Sequence, residues 1–428
     1  MASPLTVIGF NEINFDYIKY YNAQGKLPNL KTLLDKHPLT ESVSESEYKL
    51  LEPWIQWVTV QTGKSYSEHQ IFRLGDITDR KDLAQIFEKV ESRGKKVGVV
   101  SPFNADNRLD QPAFFVPDPW TKTPASGSKL IQALSKAVHQ LVNDNASEKV
   151  SKKSLLAVLQ SMIKYVPPSR YTHYLKLVKD RKLPGVKAII LDSLLADVFI
   201  SLKANHKPDM SWLFLNAGAH IQHHYLFNSA AYDGDLENPE WYCPKGYDPL
   251  LRVLEEYDST VGRAIASGDR IMILTGLHQK PHRHSTYYWR LKTHEKFLQA
   301  IGLGDYTRVL PRMSRDFLVE FDTEAAASSA EDVLTSYRCE QDEKQIFEVD
   351  NRGNSLFVEL VYDKNIAEDM SIVSPDHPRV DGFKNHVAFV AIKNGEHDGI
   401  GYIVSTFDNG LSKRVPLAEV HDALLAAV

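Results

Sequence analysis

Histidines and two glutamates supply the residues best suited to chemistry in this 428-residue chain. HIQHH sets His220, His223 and His224 directly after the apolar run SWLFL, and HQKPHRH sets His278, His282 and His284 after RIMIL. A further histidine, His397, lies in GEHDG. If a helix begins after the first run, His220 and His224 share one face, the geometry with which two imidazoles hold one ion. Such a donor set suits a divalent transition metal, zinc first, with iron or manganese as alternatives, over magnesium or calcium. Glu12 and Glu52 are the carboxylates expected to complete the shell or to move a proton. A bound cation lowers the pKa of its water towards about 7, which supplies a nucleophile without any protein hydroxyl.

Each of these residues also has an ordinary explanation. Adjacent His223 and His224 point in different directions, so at least one of them packs without touching a metal. Glu12 and Glu52 are equally explained as carboxylates at a helix start or in a loop. Arg108 and Arg283, with Arg312 and Arg315, are candidates to grip phosphate or sulfate oxygens as a fork, although most arginines only form surface ion pairs. Trp57, with Trp54 and Trp289, is a candidate to line a sugar or nucleotide pocket, and core packing accounts for a tryptophan beside an apolar run just as well.

The elements that must position these groups alternate between strand and helix. VIGF, KKVGVVSPF, SWLFLN and RIMILTG read as strands, and KDLAQIFEKVESRG reads as a helix stopped by Gly94. That alternation predicts an α/β fold with a mostly parallel central sheet covered by helices on both faces. Ligands of such sheets gather beyond the carboxyl ends of the strands, where the histidine runs stand. Residues 126–206 carry helical runs such as KSLLAVLQSMIKYV and are expected as a helical insertion or cap. Residues 312–362 read as a small α+β insertion, with two strands joined at Asn351-Arg352-Gly353. The core is then expected from 1–125, 207–311 and 363–428.

The net charge of −5 and a pI near 6.4 give no global basic surplus for a nucleic acid polymer or an anionic membrane. MASPLTVIGF lacks the basic, apolar and small-residue regions of a secretory signal, and no run approaches a spanning helix, so the default expectation is cytoplasmic with no membrane span. Two cysteines are too few for a disulfide framework. The oligomeric state is left open.

Five segments carry a family resemblance: VIGFNEINFDYI, EPWIQWVTVQTGKSYSEHQIF, WLFLNAGAHIQHHYLF, LLRVLEEYDSTVGRAIASGDRIMILTGLHQ and NGEHDGIGYIVST. Their order and spacing resemble the alkaline phosphatase superfamily, in particular its type I phosphodiesterase and nucleotide pyrophosphatase branch. The resemblance implies a metal-binding Asp where Asn11 stands, a Thr or Ser nucleophile where Pro53 stands, an Asp where Leu277 precedes His278, and a late ligand at His397. Asn11, Pro53 and Leu277 depart from that pattern, so no phosphoenzyme is expected and one metal site lacks its carboxylates. The family's Asp-to-His spacing fits Asn216 and His220, Ala219 and His223, or His220 and His224. The last register is preferred because both of its ends are strong ligands.

The expected ligand set is therefore His220, His224, His278 and His397, with Asn11, His223 and His282 as further candidates, and Glu52 and Glu12 as catalytic groups. The resemblance implies a hydrolase or transferase of a phosphate or sulfate ester, glycan-linked or nucleotide-linked, that uses metal-activated water. Its partner would be a phosphorylated or sulfated small molecule or glycan. One alternative is a catalytically inactive member that binds a glycan or a protein. Another is a metal-dependent enzyme with non-hydrolytic chemistry, since imidazole sites also suit redox ions.

Overall fold

A computed structural model describes residues 3–143, 151–312 and 315–428. The chain forms two compact units, Met1–Pro281 with Gly395–Val428, and His282–Asn394. The first unit begins with β1 (Leu5–Phe10), α1 (Phe15–Ala23), α2 (Pro28–Lys36), β2 (Thr40–Val43), α3 (Pro53–Thr62) and α4 (Tyr66–His69). It continues through α5 (Ile86–Glu91), β3 (Val97–Val100) and β4 (Phe114–Val116) into four helices, α6 (Lys129–Asn143), α7 (Lys152–Tyr165), α8 (Tyr171–Lys179) and α9 (Val186–His206). Then come β5 (Met210–Leu215), α10 (Ala217–Tyr225), α11 (Pro249–Ile265), β6 (Arg270–Leu274) and β7 (His278–Leu291), which runs on into the second unit.

That unit holds α12 (His294–Ala300), β8 (Arg308–Pro311), β9 (Asp316–Glu320), α13 (Glu324–Ser336), β10 (Arg338–Cys339), β11 (Phe347–Asn351) and β12 (Ser355–Leu360). After β13 (Ile372–Val373), strand β14 (Val387–Asp398) leads back to β15 (Ile400–Ser405), β16 (Arg414–Pro416) and α14 (Glu419–Ala426).

Eight strands of the first unit form one sheet in the order β16-β2-β15-β6-β1-β5-β3-β4. Only β15 runs against its neighbours; the other pairings are parallel, as the alternation of strand and helix predicts. The two-residue period of a strand sorts its side chains between two cores. Ile8 and Phe10 of β1, Leu213 and Leu215 of β5, and Ile271 and Ile273 of β6 meet one helical layer, with Ile18, Ile131, Ile189 and Leu254. Leu5, Val7, Met210, Trp212 and Phe214 face the other, with Trp57, Phe87 and Leu424.

The helices of 126–206 contribute to the first of these cores; α6 and α9 lie against the sheet, and α7 and α8 pack on them. Residues 144–150 of that stretch lie outside the described residues. In the second unit, β8, β9, β12 and β11 form an antiparallel sheet with a hairpin at Arg352–Asn354, where Gly353 takes φ +85°. Met313 and Ser314 of the expected 312–362 insertion lie outside the described residues. The unit extends beyond that segment on both sides. Its core recruits Trp289, Phe297 and Leu298 from before it, and Ile366, Ile372 and Phe383 from after it. Among the described residues, no helix is long and apolar enough to cross a membrane.

Candidate metal centre

Strand β1 ends where its two neighbours end. Asn11 N–H donates to the Leu215 carbonyl (3.0 Å) and Glu12 N–H to the Thr275 carbonyl (3.3 Å), so the chain leaves the sheet pinned to the residues that close β5 and follow β6. Glu12 sits in the left-handed region, φ +59°, a strained conformation for a side chain of its kind. That turn directs a carboxylate into the protein, and Glu12 is only 2% exposed.

Four donors surround the carboxylate. Asn11 Nδ2 donates to Oε1 at 2.9 Å. Oε2 lies 2.6 Å from Gln279 Nε2, 2.9 Å from His223 Nε2 and 3.0 Å from His397 Nε2. The two imidazole nitrogens are 3.3 Å apart. A tetrahedral ion with bonds of about 2.0–2.1 Å holds its ligand atoms about 3.3 Å from one another. The three separations stand close to that edge length, so one oxygen and two nitrogens fit a three-ligand site with an open fourth position. Burial opposes ionisation of Glu12, but the His397 and His223 imidazoles hold its carboxyl far below the usual carboxylate range. Burial likewise opposes protonation of His397, and the Glu12 charge outweighs it and raises the imidazole.

Buried amides fix the group in place. Gln222 on α10 donates to the Glu12 carbonyl at 2.9 Å and accepts from Asn14 N–H at 3.1 Å. Gln279 also donates to the Ala219 carbonyl at 3.0 Å. The backbone of β14 passes so close that a Cβ on Gly395 would stand 2.1 Å from Gln279 Oε1 and 2.8 Å from the Gln222 carbonyl. The Leu51 carbonyl holds His397 from the other side. Metal-binding histidines commonly have such a backbone anchor, which leaves one nitrogen for the ion. Glu52, at the start of α3, brings Oε2 to 3.8 Å from His397 Nδ1.

The sequence candidates divide accordingly. Glu12, His223 and His397 come together, with Glu52 beside them. Asn11 borders the group, but its amide is spent: Oδ1 accepts from Trp57 Nε1 at 2.8 Å and Nδ2 donates to Asn216 Oδ1 at 2.7 Å as well as to Glu12. Trp57 is fully buried between Trp212 and Phe214 and orients Asn11 rather than lining a pocket. The two rings of the preferred pair, His220 and His224, meet each other edge to face, ring centroids 4.8 Å apart, with His220 exposed. The register that reaches the group is Ala219 with His223, and Glu12 supplies the carboxylate that Ala219 lacks.

His278 is buried against Tyr402, with Nδ1 2.6 Å from the Ile400 carbonyl, and serves β15. His282 and Arg283 belong to the second unit, where His282 Nε2 meets Thr286 Oγ1 at 3.2 Å and Arg283 is exposed. Arg108 directs its guanidinium to Asp106 and to the Leu83 and Ile77 carbonyls, a mostly buried structural clamp. Gln222 and Gln279 escaped sequence reading. Their only sign was a glutamine beside a histidine just after an apolar strand.

No protein-family model and no curated protein matches the chain. Among solved structures, it is similar to phosphonoacetate hydrolase from Sinorhizobium meliloti 1021 in complex with phosphonoacetate. The identity is 13%, with 100% of this chain and 96% of that chain covered and a TM-score of 0.42. It is also similar to human ectonucleotide pyrophosphatase/phosphodiesterase 5, at 10% identity, 99% and 94% coverage and a TM-score of 0.44.

Proposed function

We propose that the first unit is a metal-dependent hydrolase or transferase of a phosphate or sulfate ester, with a divalent transition ion, zinc by its donor set, held by Glu12, His223 and His397. One observation carries this reading: donors as far apart in sequence as Glu12 and His397, 385 positions, converge at the carboxyl edge of a parallel sheet with tetrahedral spacing. Such an ion, when bound, polarises a phosphoryl or sulfuryl oxygen and lowers the pKa of a coordinated water. The chain's own residues do the rest. Asn11, Gln222 and Gln279 hold Glu12 and its turn rigid, and the Leu51 carbonyl fixes the His397 ring. Glu52 would take the proton from the attacking water, which stands in for the side-chain nucleophile that Pro53 cannot supply.

Turnover of aryl phosphate, phosphodiester and sulfate ester substrates by zinc-loaded and chelated protein tests the reading. Activity on one ester class that is lost with the metal supports it. A chain that takes up no transition ion and turns over none of the three sinks it. The second reading, a binding module without catalysis, draws on the same cluster: Glu12 already has four donors, so the group is electrostatically closed without an ion. Failure to load zinc would select that reading.

A further inference from the structure

Helix α7 is apolar on two sides. Ala157, Ser161 and Tyr165 are buried against the body of the unit. Leu155, Leu156, Leu159 and Ile163 stand about 170° around the helix from them and are all exposed, Ile163 by 75%. Helix α8 repeats the pattern: Tyr174 and Leu177 are buried, while Tyr171, Leu175 and Val178 face solvent, Leu175 at 69%. A soluble helix ordinarily presents polar residues on that side. Apolar stripes of this extent mark a surface that meets something.

The charge around the stripes bears on what they could meet. Residues 151–182 hold eight Lys and Arg against the single acid Asp180, in a chain whose net charge is −5. Asp180 is paired with Arg252 at 2.7 Å, and Arg170 is consumed by buried Asp197 and Glu256. Lys152, Lys153 and Lys164 on α7 and Lys176 and Lys179 on α8 are exposed. An apolar stripe flanked by lysines is the pattern of a helix lying in a lipid interface, with its side chains among the acyl chains and its ammonium groups at anionic headgroups. A second copy of this chain would bring lysine rim against lysine rim, which like charge opposes.

We propose that α7 and α8 form a docking surface for an anionic lipid bilayer, which holds the protein on the membrane without spanning it. The proposal does not depend on the metal centre. The test is co-sedimentation of the full chain with vesicles of phosphatidylcholine alone or with about one quarter phosphatidylglycerol, at low salt and at about 0.5 M salt. Binding at least about tenfold stronger to the anionic vesicles and weakened by salt is expected. Lys152→Gln, Lys153→Gln and Lys176→Gln each lower it about fivefold. Leu159→Gln combined with Ile163→Gln and Leu175→Gln abolishes it. All six side chains are exposed, so these variants keep the wild-type melting temperature, which separates lost docking from lost folding. Equal binding to both vesicles, no binding, or unchanged binding by the variants overturns the proposal. Self-association that disappears in the leucine and isoleucine variant, without vesicle binding, assigns the face to a second copy instead.

Discussion

Zinc is expected to raise the melting temperature of the full chain, His223→Ala to remove that rise, and His220→Ala to leave it intact. The two histidines lie three residues apart on α10 and differ in what they reach. His223 Nε2 lies 2.9 Å from Glu12 Oε2 and 3.3 Å from His397 Nε2, whereas His220 is exposed and meets His224 and Tyr225. An ion at a hundred times its dissociation constant stabilises the state that binds it by about 2.7 kcal/mol. The unit that holds the site, Met1–Pro281 with Gly395–Val428, unfolds with an entropy of roughly 0.7 kcal/mol/K. The expected rise is therefore about 4 °C. Loss of one of three ligands weakens binding by at least about 100-fold, since loss of a residue that merely orients a ligand already costs 10–100-fold. Differential scanning fluorimetry with and without zinc reads the shift, and elemental analysis after desalting reads the stoichiometry. A rise retained in His223→Ala, or lost in His220→Ala, refutes the assignment of the centre.

Glu52→Gln is expected to lower kcat about 10²–10⁴-fold with zinc content unchanged, the signature of a lost proton acceptor; a parallel loss of zinc would make Glu52 a ligand instead. Gly395→Ala drives a methyl group against Gln279 and the Gln222 carbonyl, and chemical denaturation is expected to show a loss of about 1–3 kcal/mol; wild-type stability would mean that β14 yields freely. Acid sensitivity follows from His69 and His421, both buried and pushed down to about 4, His69 by burial and His421 by burial and the Lys89 ammonium. Their folded pKa lies below the unfolded value near 6.5, so the unfolded chain takes up protons first. Stability is full above about pH 6.5 and falls by about 3 kcal/mol per histidine as pH drops through 4. Melting temperatures between pH 7 and about pH 4 check this, and His421→Gln should flatten the slope; an unchanged slope refutes it.

Legibility followed the range of the interactions. The strands VIGF, VGVV, SWLFL and RIMIL announce themselves because a strand covered by helices on both faces is continuously apolar, a local property. The second unit was visible only at its centre, since its core draws Trp289 and Phe383 from flanks that carry no strand alternation of their own. Arg108 and Trp57 stayed ambiguous in the sequence for a related reason. A guanidinium or an indole is equally at home in a ligand pocket and in a buried clamp, and only the neighbours of Arg108 and Trp57 distinguish the two.

From the sequence alone came the sheet, its helical covering and the rule that chemistry gathers at the strand ends, because hydrophobic period and the alternation of strand and helix are written along the chain. The tertiary structure decided which histidines meet. On α10 the buried face of Gly218, Ile221 and Gln222 sets the rotation of the helix, and that rotation turns His223 towards Glu12 and leaves His220 at the surface. Three residues at about 100° each leave His220 only about 60° around the helix from His223, enough to separate a ligand from a bystander. Nothing within HIQHH specifies the phase; it is set by packing against α9 and α11 and by the arrival of β14 from the far end of the chain.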